Sequence, residues 1–327
     1  MAQDVLQRYI KAFSKLRTDK TGGWTQKTNF RAPHKPILLL SVLDLFAQGS
    51  IKSNLIELTP DLGDLFASYW SGIMSPERQG NIVLPFFHLR SSSFWKLIPQ
   101  PGQEKVLKNL NSIGALSQLR NYVVGAELEN ELFTLLQTAS TRDILRTVLL
   151  ETYFSTETQR ILLVQTSLNI QSFVYSQELI EKAHHHIKES LVVTEDTQQL
   201  VRDQGFRKAI VRIYEHRCAF CGVRLITIDG HSVVEAAHII PWSLTHNDDL
   251  YNGMALCKLC HWTFDEGLLG VSDKYLVIVS PEVRIASNLP GHLVTLENRP
   301  ILGPTDQVLS PARESLKWHR ANIFRKI

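Results

Sequence analysis

The sequence is poor in cysteine, in net charge and in long apolar runs, and each shortage narrows what the chain can be. Its 327 residues include four cysteines, and none stands alone: Cys218 pairs with Cys221, and Cys257 with Cys260. In a reducing compartment two such pairs read as metal knuckles rather than disulfides, and they exclude a disulfide-stapled scaffold. No apolar run approaches the roughly 18 residues that a membrane span requires. The opening MAQDVLQRYIKAFSKLR alternates charged and apolar residues at helical spacing, unlike a secretory leader. A cytoplasmic protein without membrane segments is expected. The net charge of +3 is too small to imply nucleic acid by itself. Internal repeats and low-complexity tracts are also lacking. What remains is an ordinary globular composition, 44% hydrophobic and 20% charged, long enough for two cores.

Local patterns divide the chain. Up to about residue 165 it reads as mostly helical. HKPILLLSVLDLFAQG, residues 34–49, has Pro36 near its start and Gly49 at its end, as helix punctuation predicts. Its Ile37–Leu40 run is apolar on all sides, so this helix belongs at the centre of a core. Further helices are expected at 61–70, 127–138 and 142–154. NIVLPFFHLR and FWKLI, joined by three serines, suggest a hairpin with Pro85 at an edge or bulge. Residues 166–198 are polar and read as a partly helical linker. Its His184-His185-His186 triplet fits a solvated helix face better than a metal site. The C-terminal region, 199–327, opens with a helix running into CAFCG. Strands are expected at RLITI and VVEAAHII, separated by an Asp229-Gly230 turn, and at YLVIVS. The last fifteen residues carry Arg313, Lys317, Arg320, Arg325 and Lys326 against Glu314. Such a patch is a solvated helix unless another feature points to DNA.

LCKLCHWTFDEG, from Leu256, poses a question about ligands. A closed structural zinc site is tetrahedral, and four thiolates complete it. His261 is therefore not needed there, and on a helix it points about 100° away from Cys260. It is free for other work or for packing. It has company: His238 ends a strand-like segment and Asn252 lies in the following loop.

Strand, loop and helix bracketed by cysteine pairs resemble the HNH nuclease family and its ββα-metal fold. The pieces are Glu235-Ala236-Ala237-His238-Ile239, Asn252-Gly253 and His261 through Asp265. The resemblance implies an α+β protein: a mostly helical N-terminal domain (1–165), the linker, and a zinc-containing ββα-metal domain (199–327). It implies that His238 is the general base, that Asn252 orients it or touches the metal, and that His261 binds Mg²⁺ or Mn²⁺. Many relatives carry a metal-binding acid immediately before the base, where this chain has Ala237. Glu235 shares a strand face with that position, and Asp265 shares a helix face with His261. Either could supply the carboxylate, and Asp265 is slightly favoured; both could also be surface groups.

RAPHKPILLL and LPFFHLRSSSFW resemble the sulfur-binding domain of type IV, modification-dependent restriction enzymes, which recognises phosphorothioate DNA. The resemblance implies an apolar pocket at Leu84, Pro85 and His88, with Arg31, His34, Lys35 and Arg90 on flanking phosphates or a neighbouring base. Leu84 stands where that family often has Tyr. PILLL and LPFF are also what a plain helical core contains.

The leading expectation is a nuclease that binds phosphorothioate-bearing double-stranded DNA and cuts nearby, as a monomer or homodimer. Alternatives are an HNH enzyme aimed at methylated or otherwise modified bases, a non-catalytic DNA-binding protein with a zinc scaffold, and, more weakly, a nuclease acting on RNA.

Overall fold

The apolar run after His34 becomes a helix enclosed on every side. In a computed structural model of the chain, which describes residues 2–185, 197–227, 231–285 and 287–326, α2 (His34–Ala47) buries every residue from Lys35 to Phe46. A helix apolar all round has no solvent face and must be central. Around it lie α1 (Ala2–Ser14), α3 (Pro60–Ile73), α4 (Val83–His88), α5 (Glu104–Asn109), α6 (Leu116–Tyr122), α7 (Asn130–Leu135) and α8 (Ala139–Tyr153). α9 (Thr156–His185) follows. Here β1 (Trp95–Pro99) and β2 (Val123–Leu128) form an antiparallel pair, with Trp95 opposite Leu128.

The chain divides into one unit built on Met1–Ile170 and a second built on Gln171–Ile226 and Ser232–Ile327, so the division falls within α9. The segment expected as a linker continues α9 to His185, with Leu179 and Ala183 buried. His184 is ion-paired with Asp306 at 2.9 Å, and His186 lies outside the described residues. No described helix is long and apolar enough to cross a membrane.

The first unit corrects two expectations. NIVLPFFHLR is not an arm of a hairpin: Val83–His88 is a helix, and β1 pairs with β2 instead. Pro85 fits because the N–H groups of a helix's first turn have no intrahelical partner. The helix expected at 127–138 is interrupted, because β2 runs to Leu128 and α7 begins at Asn130.

In the second unit α10 (Thr197–Ile213) leads to the first cysteine knuckle. β3 (Val234–His238) is followed by α11 (Trp242–Thr245), β4 (Gly253–Cys257) and α12 (Lys258–Asp265). β3 and β4 are antiparallel, with Val234 opposite Cys257 and His238 opposite Gly253. This ββα hairpin and helix is the expected local fold. Among the described residues RLITI contributes an isolated bridge, Ile226 to Ser232, and the Asp229-Gly230 turn lies outside them. β5 (Leu269–Val271) pairs with β6 (Val277–Val279), and α13 (Arg313–Asn322) follows. Two of the terminal basic residues are engaged within the unit. Arg320 donates to the Val271 carbonyl, and Arg325 pairs with Glu266 and Glu282.

Candidate metal and nucleic-acid sites

The four cysteines converge although the knuckles are far apart in sequence. The Ala219 N–H bonds to the Ala255 carbonyl at 2.8 Å, docking the first knuckle on β4, whose last residue is Cys257. All four Sγ atoms lie within 4.8 Å of one another, and Cys218 and Cys260 are fully buried. Hydrogen bonds from Cys218 bring the Cys221 thiol down to about 7. Thiolates this close repel one another, and a soft divalent cation relieves that repulsion; the set could hold zinc.

His261, next in sequence after Cys260, turns away from the sulfurs toward two carboxylates. Its Nδ1 is 3.4 Å from Glu235 Oε2 on β3, and its Nε2 is 3.4 Å from Asp265 Oδ2 one helical turn on. Partial burial holds the Asp265 carboxyl above its usual range, with His261 opposing the shift and Glu266 adding to it. Both candidate acids therefore flank His261, one per ring nitrogen. An ion on one ring nitrogen could share only the carboxylate on that side, and an imidazole with a carboxylate oxygen suits a hard divalent cation.

His238 makes different contacts. Strand alternation puts it on the opposite face of β3 from Glu235. Its ring stacks on Phe206 of α10, centroids 4.0 Å apart and planes 8° from parallel. Its Nε2 is 2.9 Å from Asp248 Oδ1. Asp248 was not singled out from the sequence. The carboxylate also accepts from Arg202 Nη1 at 2.9 Å on both oxygens and from the Tyr175 hydroxyl at 3.0 Å.

Asn252 is 2% exposed and commits its amide to backbone. Oδ1 accepts from the Ile240 N–H at 2.9 Å, and Nδ2 donates to the Ile240 carbonyl at 3.0 Å and the Asn247 carbonyl at 3.4 Å. Its position is that of a loop clamp rather than a metal ligand. The next residue must be small: a Cβ on Gly253 would lie 2.5 Å from Ile210 Cδ1.

In the first unit, α4 turns Val83, Phe86 and Phe87 into the core and leaves Leu84 and His88, one turn apart, on its other face. These two, with Pro85, His34, Lys35 and Trp24, line a cavity of about 550 Å³ at the N-terminus of α2. Helix N-termini favour anions. Lys35 is 8% exposed and donates to Ser91 Oγ at 3.1 Å. Burial, with help from the charge of Arg17, brings its pKa down to about 8. His34 sits between Trp24 and Trp70, centroids 5.5 and 4.5 Å away. Burial first and Arg78 second push it to about 4, so it is a neutral imidazole at physiological pH. Burial also lowers His88, and Lys35 adds to the shift.

The cavity's carboxylate, Asp19, is committed to its own loop. It accepts from the Thr21 hydroxyl and the Trp24 indole, which hold it well below the usual range. Arg78 stacks over Trp24 at 3.7 Å and donates to the Gly22 carbonyl at 2.6 Å. A second cavity of about 300 Å³ shares Arg17 and Ser91 with the first and is also lined by Lys11, Lys15, Ser92 and Ser93.

Two expected contacts lie elsewhere. Arg90 does not face the cavity: it donates to the Leu107 and Leu110 carbonyls at the end of α5 and stacks on Phe87 at 4.0 Å. Arg31 has its guanidinium 5.9 Å from the Tyr153 ring. Lys11, Lys15, Arg17 and Trp24 carried no sequence motif and emerge only from the fold.

Comparison with known proteins gives two family matches. The model of a ScoMcrA-like DNA sulfur-binding domain matches residues 7–171, and the model of an HNH endonuclease matches residues 218–272. Among solved structures, a modification-dependent TagI restriction endonuclease is similar at 22% identity with a TM-score of 0.29. The similarity covers 40% of this chain and 44% of that one. No curated protein matches.

Proposed function

This chain belongs to the family of ScoMcrA-like DNA sulfur-binding domains and carries an HNH endonuclease domain, and from that premise we propose that it binds phosphorothioate-modified double-stranded DNA and hydrolyses a phosphodiester bond near the mark. One observation carries the reading. At the N-terminus of α2, a buried lysine and a neutral histidine meet the apolar wall of Leu84 and Pro85 in one cavity.

A phosphorothioate keeps the negative charge but replaces one hydrated oxygen with a larger, softer, weakly hydrated sulfur. Lys35 answers the charge, and Leu84 and Pro85 accept the sulfur. An ordinary phosphate oxygen pressed on the same wall would lose its water without a replacement donor, a cost of roughly 1–3 kcal/mol. That is a preference of about 5- to 150-fold. Lys11, Lys15 and Arg17 continue the cationic surface and hold neighbouring phosphates, which positions the strand without reading it.

In the nuclease unit, Cys218, Cys221, Cys257 and Cys260 would hold a zinc ion that fixes β4 to α12. His261, with either Asp265 or Glu235, would hold a Mg²⁺ or Mn²⁺ ion. When bound, that ion supplies positive charge to the scissile phosphate and the departing 3′ oxygen. His238 accepts a proton from a water whose oxygen bonds to phosphorus as the bond to the 3′ oxygen breaks. Asn252 keeps the loop after β3 in the shape that presents His238. One such centre cuts one strand, so a double-strand break takes two copies of the chain or two visits.

The test is cleavage, with Mn²⁺, of two duplexes of identical sequence, one bearing a phosphorothioate. Wild type should cut the modified duplex preferentially, and His238→Ala should bind it without cutting. Equal cleavage of both duplexes would sink the phosphorothioate target. Preference for a methylated duplex instead would move the target to bases. No cleavage by wild type would leave a DNA-binding protein on a zinc scaffold.

A further inference from the structure

The loop between α11 and β4 buries a carboxylate that nothing in the HNH resemblance calls for. Asp248 has a side chain 6% exposed, and a buried acid is costly unless donors meet it. Here three side chains converge on it. Arg202 Nη1 lies 2.9 Å from both oxygens, the Tyr175 hydroxyl 3.0 Å from Oδ2, and His238 Nε2 2.9 Å from Oδ1. Arg202, which also pairs with Asp203, and Tyr175 already meet both oxygens, so the histidine contact is not needed for solvation. Arg202 is itself fixed, stacked over the Trp242 ring at 3.8 Å.

The chemistry of the pair assigns the protons. With an arginine on it, Asp248 is a carboxylate and can only accept. The hydrogen between the two groups therefore belongs to His238 Nε2. In a neutral imidazole the other nitrogen, Nδ1, then carries the lone pair. Phe206 fixes the plane of the ring by stacking, and Asp248 fixes its rotation within that plane. Arg202 and Phe206 are four residues apart on α10, so one helix face delivers both supports.

We propose that Asp248 is the positioning residue of the nuclease centre: it holds the Nε2 hydrogen of His238 and so presents Nδ1 as the atom that takes the proton from the attacking water. The assignment rests on the nuclease reading of His238. Asp248 acts only through the histidine and neither touches the phosphate nor binds the ion. Without it, His238 would divide between two tautomers, one of which offers the wrong nitrogen.

The experiment uses the full, zinc-loaded chain labelled with ¹⁵N-histidine. It compares wild type, His238→Ala, Asp248→Asn, Asp248→Glu and Tyr175→Phe in Mn²⁺-dependent single-turnover nicking, in binding of a phosphorothioate duplex, and in the ring ¹⁵N spectrum. The signal missing in His238→Ala identifies His238. Wild type should show that ring as the Nε2–H tautomer. Asp248→Asn should mix the tautomers and slow nicking by roughly 100-fold or more, with duplex binding unchanged. Asp248→Glu should recover part of the rate, and Tyr175→Phe should keep the tautomer with a small loss.

An unchanged His238 signal or an unchanged nicking rate in Asp248→Asn overturns the proposal. So does equal loss in the Asn and Glu variants accompanied by loss of zinc, which would make Asp248 structural only. A wild type that never nicks overturns the nuclease reading itself, whatever the ring spectrum shows.

Discussion

Lys35 shows how one side chain can set a pH window for recognition. Its pKa of about 8 lies below the ordinary 10.5 because burial and Arg17 disfavour the cation. The protonated form holds an anion, so affinity for phosphorothioate DNA should fall as pH rises through about 8, earlier than for a surface lysine. Sign and mechanism are checked by fluorescence anisotropy between pH 7 and 9, with Lys35→Gln weak and flat over the same range. Beside His261, Glu235 and Asp265 face different ring nitrogens, so an ion on one nitrogen would take only one of them in place of the acid absent at Ala237. Whichever of Glu235→Ala and Asp265→Ala raises the Mn²⁺ concentration needed for half-maximal nicking identifies the ligand, and the double variant should be inactive. Wild-type metal dependence in both single variants removes the pair from the site. Asp248 left almost no trace in the sequence, since an acid in a polar loop looks solvated until Arg202 and Tyr175, 46 and 73 residues away, are folded onto it.

At the level of elements, the first unit is tied by a buried polar knot. Asp44 of α2 pairs with Arg146 of α8 at 2.9 Å and accepts from Tyr69 of α3 at 2.7 Å and Asn169 of α9 at 2.8 Å. Removing one partner leaves a charge buried alone. Arg146→Leu should therefore cost about 3–5 kcal/mol in urea denaturation, and the double variant with Asp44→Leu should cost less than that single change. A loss in the double variant equal to the sum of the two single losses would show that the pair contributes no coupling. Sequence periodicity located α2, α8, β3 and β6 because each has a clear apolar pattern or run. It failed at Val83–His88, where nearly every side chain is apolar and the period vanishes, and where Pro85 looked like an edge-strand residue. It failed again near Leu128, where a strand passes to a helix within two residues. The nuclease motif was legible because chemistry fixes its residue types. The cavity was half legible: His34, Lys35, Leu84, Pro85 and His88 line it, whereas Arg90 is occupied with helix-end carbonyls.

On the scale of the molecule, recognition and cutting, as proposed, fall to different residues and should separate. Replacing Lys11 and Lys15 by Gln should flatten the dependence of log affinity on log salt by about 0.9 per contact, equally for modified and plain duplexes. A changed preference between the two would place those lysines at the mark instead. Stripping zinc should abolish nicking, without rescue by Mn²⁺, while the first unit keeps its affinity for modified DNA; metal analysis and anisotropy report the two halves. The Asn252-Gly253 pair gives zinc loss a second consequence. In a loose chain, Asn-Gly is the dipeptide most prone to deamidation, because glycine leaves its backbone nitrogen free to attack the amide carbon. Three hydrogen bonds and burial keep Asn252 from that geometry. Once the knuckle opens, the amide is exposed to ageing, and the aspartate formed has no N–H for the Ile240 and Asn247 carbonyls. Metal returned late would meet a loop that can no longer close, so the time spent without zinc should set the enzyme's shelf life.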